Sequence, residues 1–219
     1  MHSIHQKKLL VRPIFYIDVR SVQLIPLKPL HFCRLKFKYM RKLILGLAIT
    51  LDGYIEGPNG EYDWCFTDQD YGLNDFFGRI DAMFIGRKSY EIAQQYAELN
   101  NGETIPGMPK LTEYIFSSTL KTVKENAVLI SNDTVAHARS IKELPGKDIW
   151  LYGGASLTQS FMKEGLVDEL WLSVHPILLG SGKLLFQEQD YRTQLTLLES
   201  KTYETGLVSL RYAINHKQL

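Results

Sequence analysis

From residue 40 onward, apolar and polar positions fall into blocks that are easy to separate. Residues 42–50 are mostly apolar and predict a buried strand. Residues 51–64 carry Asp52-Gly53 and Gly57-Pro58-Asn59-Gly60, which is turn chemistry and predicts a loop. Asp68 or Asp70 can cap a helix running to about Ile80, with Phe76, Phe77 and Ile80 on one face. A short strand over 82–86 and a helix from Arg87 to about Tyr96 follow, then a polar loop over 100–110. Short strands are predicted over 113–117 and 127–130, and a helix over 133–144 that ends at Pro145-Gly146. Next come a strand over 149–152, a helix over 155–163 closed by Gly165, and a strand over 169–174. After a Pro/Gly loop, two alternating runs, 194–203 and 207–214, meet at Thr205-Gly206, a hairpin signal. Strands alternating with helices before a hairpin predict an α/β fold. Its sheet is mixed and mostly parallel, flanked by helices, with a C-terminal antiparallel hairpin.

Composition changes this picture mainly at the N-terminus. The chain has 219 residues, 45% apolar and 22% charged, ordinary for a soluble globular protein. The net charge of +1 hides an asymmetry. Residues 1–39 hold eight Lys/Arg against Asp18 alone, which leaves 17 basic and 23 acidic residues in the body. An acidic body argues against nucleic acid as a partner, since phosphate neutralisation needs a basic face. Residues 1–39, broken by Pro13, Pro26 and Pro29, are expected to be a disordered extension of a domain beginning at Met40. Of the two cysteines, only Cys65 lies in the body, which fits a reducing cytoplasm. No apolar run approaches the ~20 residues that span a bilayer, so no membrane partner is expected. No metal site is expected either, because His137 and His216 lack ligand partners at useful spacing.

The densest chemistry lies in Asp148-Ile-Trp-Leu-Tyr-Gly-Gly-Ala-Ser-Leu157. A strand that runs into a glycine pair at a helix start lets backbone N–H groups and the helix dipole point at a phosphate. The same pattern also makes a plain tight turn. In a sheet of this kind, ligands sit at the carboxyl ends of strands. Gly86-Arg-Lys-Ser89, Ser117-Ser118 and Gly153-Gly154 all fall in that zone.

These segments, in this order, resemble the dihydrofolate-reductase-like family. The group most similar is that of the reductase domain of bifunctional riboflavin-biosynthesis deaminase-reductases. The resemblance is carried by Ala48-Ile-Thr-Leu-Asp-Gly-Tyr54, Phe84-Ile-Gly-Arg-Lys-Ser-Tyr90, Tyr114-Ile-Phe-Ser-Ser118, Trp150-Leu-Tyr-Gly-Gly-Ala-Ser156, Gly165-Leu-Val-Asp-Glu-Leu170 and Pro176-Ile-Leu-Leu-Gly-Ser-Gly-Lys183. It implies an NADPH-dependent reductase acting on a small heterocycle, either pterin-like or a pyrimidine of riboflavin biosynthesis. It also implies that Ala48 and Ile49 line the nicotinamide and that Gly86, Arg87, Lys88 and Ser89 hold the pyrophosphate and 2′-phosphate. Ser117 and Ser118 would flank the adenosine phosphate, while Gly153, Gly154, Ala155, Ser156 and Leu157 close over the pyrophosphate. Trp64 would border the nicotinamide, and pairing as a homodimer is implied as well. A dianionic phosphate favours a cationic donor such as Arg87, whose position at a helix start is otherwise mildly unfavourable.

The proton donor is open between Asp70 and Asp63. Asp70 precedes Gly86 by sixteen residues, a spacing that resembles the active-site carboxylate of folate reductases. It is equally a preferred helix cap, and Asp63 equally a loop carboxylate. Asp52 reads as a turn residue and His175 as structural. The other function class that fits is a non-catalytic nucleotide-binding or interaction protein that retains the fold.

Overall fold

The apolar run after Arg41 becomes β1 (Leu43–Thr50), the strand around which the sheet is built. The computed structural model describes residues 40–100, 105, 107–187 and 191–216, so the basic segment 1–39 lies outside the described residues. After β1 come β2 (Tyr54–Glu56), α1 (Leu73–Arg79), β3 (Ile80–Gly86), α2 (Arg87–Leu99), β4 (Thr112–Phe116) and β5 (Ala127–Ile130). Then follow α3 (Thr134–Lys142), β6 (Asp148–Gly153), α4 (Ala155–Lys163), β7 (Glu169–His175), β8 (Lys183–Leu184), β9 (Leu195–Thr202) and β10 (Val208–Ile214).

Eight strands form one sheet in the order β5-β4-β3-β6-β1-β7-β10-β9. The first six run parallel, and β10 is antiparallel to both β7 and β9. This is the expected mixed sheet with its hairpin edge, the dihydrofolate-reductase-like α/β fold.

Strand alternation gives the sheet two apolar faces. Leu43, Leu45 and Ile49 face one core with Ala138 and Ile141 of α3 and Phe161 of α4. Ile44 faces the other, with Phe76 and Phe77 of α1, Tyr90 of α2 and Trp150. Gly46 lets α1 sit directly on backbone, because a Cβ there would lie 2.8 Å from the Phe76 ring. The Trp150 indole N–H donates to the Gly46 carbonyl at 2.8 Å, closing the same contact. Burying a Phe side chain such as Phe76 stabilises the fold by roughly 1.5–3 kcal/mol. A side chain at position 46 would therefore expel the ring that anchors α1.

Two details differ from the sequence expectation. Helix α1 starts at Leu73, because Tyr71 and Gly72 both have positive φ (50° and 86°) and hold the chain outside helical geometry. The loops at 54–56 and 183–184 pair as a small antiparallel ribbon, Tyr54 opposite Leu184 and Glu56 opposite Lys183. Strands this short show no legible period. Among the described residues, no helix is long and apolar enough to cross a membrane.

Candidate active site

Two features open a crevice at the carboxyl ends of the central strands. Helix α2 leaves β3 on one face of the sheet while α4 leaves the adjacent β6 on the other. Such a divergence is where open α/β sheets bind ligands. In addition, β1 pairs with β6 only as far as Leu45 opposite Leu151, yet pairs with β7 through Thr50 opposite His175. Strands β1 and β6 therefore part beyond Leu45, beside Ala48 and Gly153.

The two helix starts meet across this crevice. Ile85 is in register with Gly153. A Cβ on Gly86 would lie 3.5 Å from the Gly153 carbonyl, and one on Gly154 would lie 3.5 Å from Ser89 Oγ. Gly153 has φ 124° and Gly154 φ 67°, conformations that L side chains rarely adopt. Above Gly153 nothing lies within 4 Å of where a Cβ would project, so the backbone is bare toward the crevice. Neither α2 nor α4 has a side-chain cap or an acidic residue in its first turn. The leading N–H groups of both helices are thus available to an anion.

The flanking polar residues divide into available and committed groups. Lys88, Ser118 and Ser156 are exposed, and Ser89 and Leu157 are half-buried. The Arg87 guanidinium is held by Glu91, one turn along α2, with Nη1 3.0 Å from both carboxylate oxygens. An anion arriving at Arg87 competes with that partner. Ser117 is buried, and its Oγ accepts from the N–H groups of Thr119 (3.2 Å) and Leu120 (3.0 Å). Its side chain stabilises the strand-end turn, while the neighbouring Ser118 is exposed.

Residues 57–72 arch over the end of β1. Asp52 ties the turn after β1 to the loop after β7: its carboxylate accepts from Thr50 Oγ1 at 2.6 Å and from the N–H groups of Leu179 (3.0 Å) and Gly180 (2.8 Å). The Thr50 hydrogen bond, partly countered by desolvation, holds the Asp52 carboxyl below its ordinary value. Trp64 lies edge-on to His175 with ring centroids 5.2 Å apart, and its indole N–H is buried without a partner among the described residues. Asp63 is exposed. Burial, then the Asp63 charge, pushes the Cys65 thiol up to about 11, so it carries no nucleophile at neutral pH. Asp70 is exposed and accepts from the N–H groups of Gly72 (2.9 Å) and Asn74 (3.0 Å), which is helix-capping geometry.

Sequence reasoning assigned no role to Tyr152, the last side chain of β6 before the glycine pair. It packs on the α1–α2 side of the sheet, the face that Ala48 also shares, with its ring 4.9 Å from Trp150. Burial, aided by nearby Tyr62, pushes its phenol up and keeps it protonated. The visible signal was its place directly before Gly153-Gly154. Ala48 is half-buried and Ile49 buried, both at the parting of β1 and β6.

With this geometry in view, the comparisons with known proteins decide the family. The RibD C-terminal domain model matches residues 41–209. The Bacillus subtilis (strain 168) protein YyaP, whose activity is uncharacterised, is 43% identical over 180 residues, covering 80% of this chain and 96% of YyaP. The chain belongs to the RibD C-terminal domain family. Among solved structures, a Shewanella sp. PV-4 protein provisionally named for riboflavin biosynthesis is similar at TM-score 0.68 and 24% identity, covering 80% of this chain and 99% of that one. The Thermotoga maritima diaminohydroxyphosphoribosylaminopyrimidine deaminase/5-amino-6-(5-phosphoribosylamino)uracil reductase matches at TM-score 0.60 and 12% identity, covering 80% of this chain and 57% of that one. The RibD C-terminal frame is therefore the one in which the glycine junctions of β3 and β6 are to be read.

A second depression, of about 170 Å³, lies on the far side of α1 between Gly72, Arg79, Trp171, Tyr203 and Arg211. Its arginines are already paired, Arg79 with Glu169 and Asp148, and Arg211 with Glu169 and Glu199. Lys201 and Asp75 complete its charged lining, so opposite charges offset one another there.

Proposed function

We propose that this protein is an NADPH-dependent reductase that transfers hydride to a small heterocyclic substrate, pterin-like or a pyrimidine of riboflavin biosynthesis. The observation that carries the reading is the meeting of two glycine-led, uncapped helix starts at adjacent strand ends. Anions bind such sites through backbone N–H groups and aligned dipoles, and two starts side by side suit the two phosphates of a dinucleotide. Membership of the RibD C-terminal family supports the choice of nicotinamide dinucleotide over other phosphorylated ligands.

In this reading Gly86, Ser89, Gly153, Gly154, Ala155, Ser156 and Leu157 hold the pyrophosphate. Arg87, Lys88 and Ser118 take the 2′-phosphate and adenosine phosphate, with Ser117 shaping the turn beneath Ser118. Ala48, Ile49 and Trp64 border the ring where β1 and β6 part. The cofactor, when bound, supplies the hydride, and the chain orients it and excludes water. Three groups could donate the accompanying proton or polarise the substrate: Asp63, Asp70 and Tyr152. Asp70 already serves as a cap, Asp63 is open to solvent, and Tyr152 stays protonated on the cleft side of the sheet. We rank Tyr152 first as a hydrogen-bond donor to the substrate.

The apolar side chains Leu195, Leu197 and Leu198 are exposed on the edge strand β9, and we assign that edge to homodimer formation. A cytoplasmic location fits the reading. The commitment of Asp70 to capping favours one other reading, a nucleotide-binding protein without turnover. The deciding assay follows oxidation of NADPH with dihydropterins and with the phosphoribosylaminouracil substrate class. Turnover on one of them, reduced in Tyr152→Phe, supports the reductase. Saturable NADPH binding with no turnover across the panel supports the binding protein instead.

A further inference from the structure

His175 is buried at 3% exposure where β7 ends, and the Asp63, Asp70 and Tyr152 assignments leave it unused. Its two ring nitrogens have different partners. Nδ1 lies 3.0 Å from the Ser173 carbonyl, an acceptor only, so Nδ1 carries the proton. Nε2 lies 3.1 Å from the Phe66 backbone nitrogen and accepts its N–H. A ring satisfied in this way is a neutral imidazole of fixed tautomer. Both of its aromatic neighbours come from the arch: Trp64 at 5.2 Å and Phe66 at 5.0 Å between ring centroids. Phe66 in turn meets Tyr71, which meets Tyr203 of the hairpin turn at 5.0 Å. The Tyr71 hydroxyl donates to Asp68 at 2.7 Å.

We infer that His175 is a positioning residue, whose neutral imidazole clamps residues 62–68 over the end of β1 and thereby sets the place of Trp64. Protonation converts Nε2 from acceptor to donor, facing an N–H that also donates. That contact becomes repulsive and leaves the Phe66 N–H unpaired. The charged groups on the elements around the ring are Glu61, Asp63, Asp68 and Asp70 on the arch, Asp52 after β1 and Glu204 in the hairpin turn. Among the described residues, none forms an ion pair with the imidazole that would reward its protonation. Burial holds the His175 pKa below its ordinary value, though its bonds to the Ser173 and Ile49 backbone oppose the shift. A lowered value means the clamp is at full strength above the unfolded-state pKa of about 6.5 and weakens as pH falls from there through the folded value. Over pH 7.5 to 5.5 the Asp52 carboxyl, held low by Thr50, stays ionised, and the Cys65 thiol, at about 11, stays neutral.

The consequence for turnover rests on the reductase reading, but the clamp does not, so its test uses the full chain without nucleotide. Hydrogen–deuterium exchange of the peptide covering residues 60–70 is compared at pH 7.5 and 5.5, with times scaled to intrinsic exchange. A peptide from β3 serves as control. Losing the imidazole acceptor should speed exchange in that segment about tenfold at pH 5.5 while the control stays constant. His175→Gln, which keeps an acceptor but cannot titrate, should protect the segment equally at both pH values. His175→Leu should leave it open at both. Equal protection of the wild-type segment at the two pH values overturns the inference, and so does full protection in His175→Leu. Should His175→Leu not fold, the wild-type comparison and the Gln variant decide the matter.

Discussion

The two ends of the sheet are built from opposite materials. At the amino end, charges are buried and saturated. Glu169, 0% exposed, takes a bidentate grip from Arg79 at 2.6 and 3.0 Å and further bonds from Arg211 at 3.2 and 3.1 Å. Arg79 also reaches Asp148 at 2.9 Å, and both arginines lie over the Trp171 ring. Beside them Lys142 pairs with Asp168 at 2.6 Å, and Asp168 also accepts the Leu43 N–H at 2.7 Å. At the carboxyl end there are glycines, unpaired helix N–H groups and parting strands. The amino end leaves nothing for a ligand to satisfy, whereas the carboxyl end leaves a good deal. Stability and binding are therefore separable in this molecule, and substitutions at one end should spare the other.

The largest break in that comparison is Glu169→Ala. Removing the shared carboxylate leaves Arg79 with Asp148 alone and Arg211 with Glu199 alone, so the unfolding free energy should fall by about 3 kcal/mol in urea titrations. NADPH affinity of the folded fraction should stay within about twofold, which is within 0.5 kcal/mol. Burial alone would raise the Glu169 carboxyl, but hydrogen bonds from Arg79 and the charges of Arg79 and Arg211 bring it below its ordinary value. A lowered carboxyl contributes stability that is complete above the unfolded-state value of about 4.3 and is lost as pH falls through the folded one. Wild-type melting temperature should fall steeply only below that point, and Glu169→Ala should flatten the fall.

At the other end, Gly153→Ala forces a side chain into positive φ. Strain of about 1–3 kcal/mol should appear as a loss of roughly tenfold or more in NADPH affinity by calorimetry, since the N–H groups shift to relieve it. Arg87→Ala should cost about tenfold for NADPH, the worth of one charge-assisted hydrogen bond, and little for NADH. Glu91→Gln sharpens the same comparison, because it frees Arg87 and should tighten NADPH. The smallest expected effect is that of Asp70→Asn. Asn keeps one acceptor oxygen but turns its NH2 toward the second of the two N–H groups that Asp70 accepts, so stability should fall by about 1 kcal/mol. A large fall in turnover beyond that small loss of stability would assign Asp70 the proton.

Local signals were legible in the sequence, and long-range ones were not. The Gly153-Gly154 junction and the span of α4 follow from an apolar run, a glycine pair and a helical period within fifteen residues. The start of α1 was misplaced because Tyr71 adopts φ 50°, which no residue type announces. The saturated amino end was illegible, since Arg79 finds Asp148 and Glu169 at separations of 69 and 90 residues. His175 and Phe66 are likewise 109 residues apart. Glu91, by contrast, stands four residues beyond Arg87 and could have been read as its partner from spacing alone.

Calorimetric titration of the full chain with NADPH and with NADH tests the central claim most directly. Docking of a dinucleotide at the glycine junctions predicts one saturable site, tighter for NADPH, with that preference lost in Arg87→Ala and binding crippled in Gly153→Ala. Absence of saturable heat with either nucleotide, or unchanged affinity in Gly153→Ala, would contradict it.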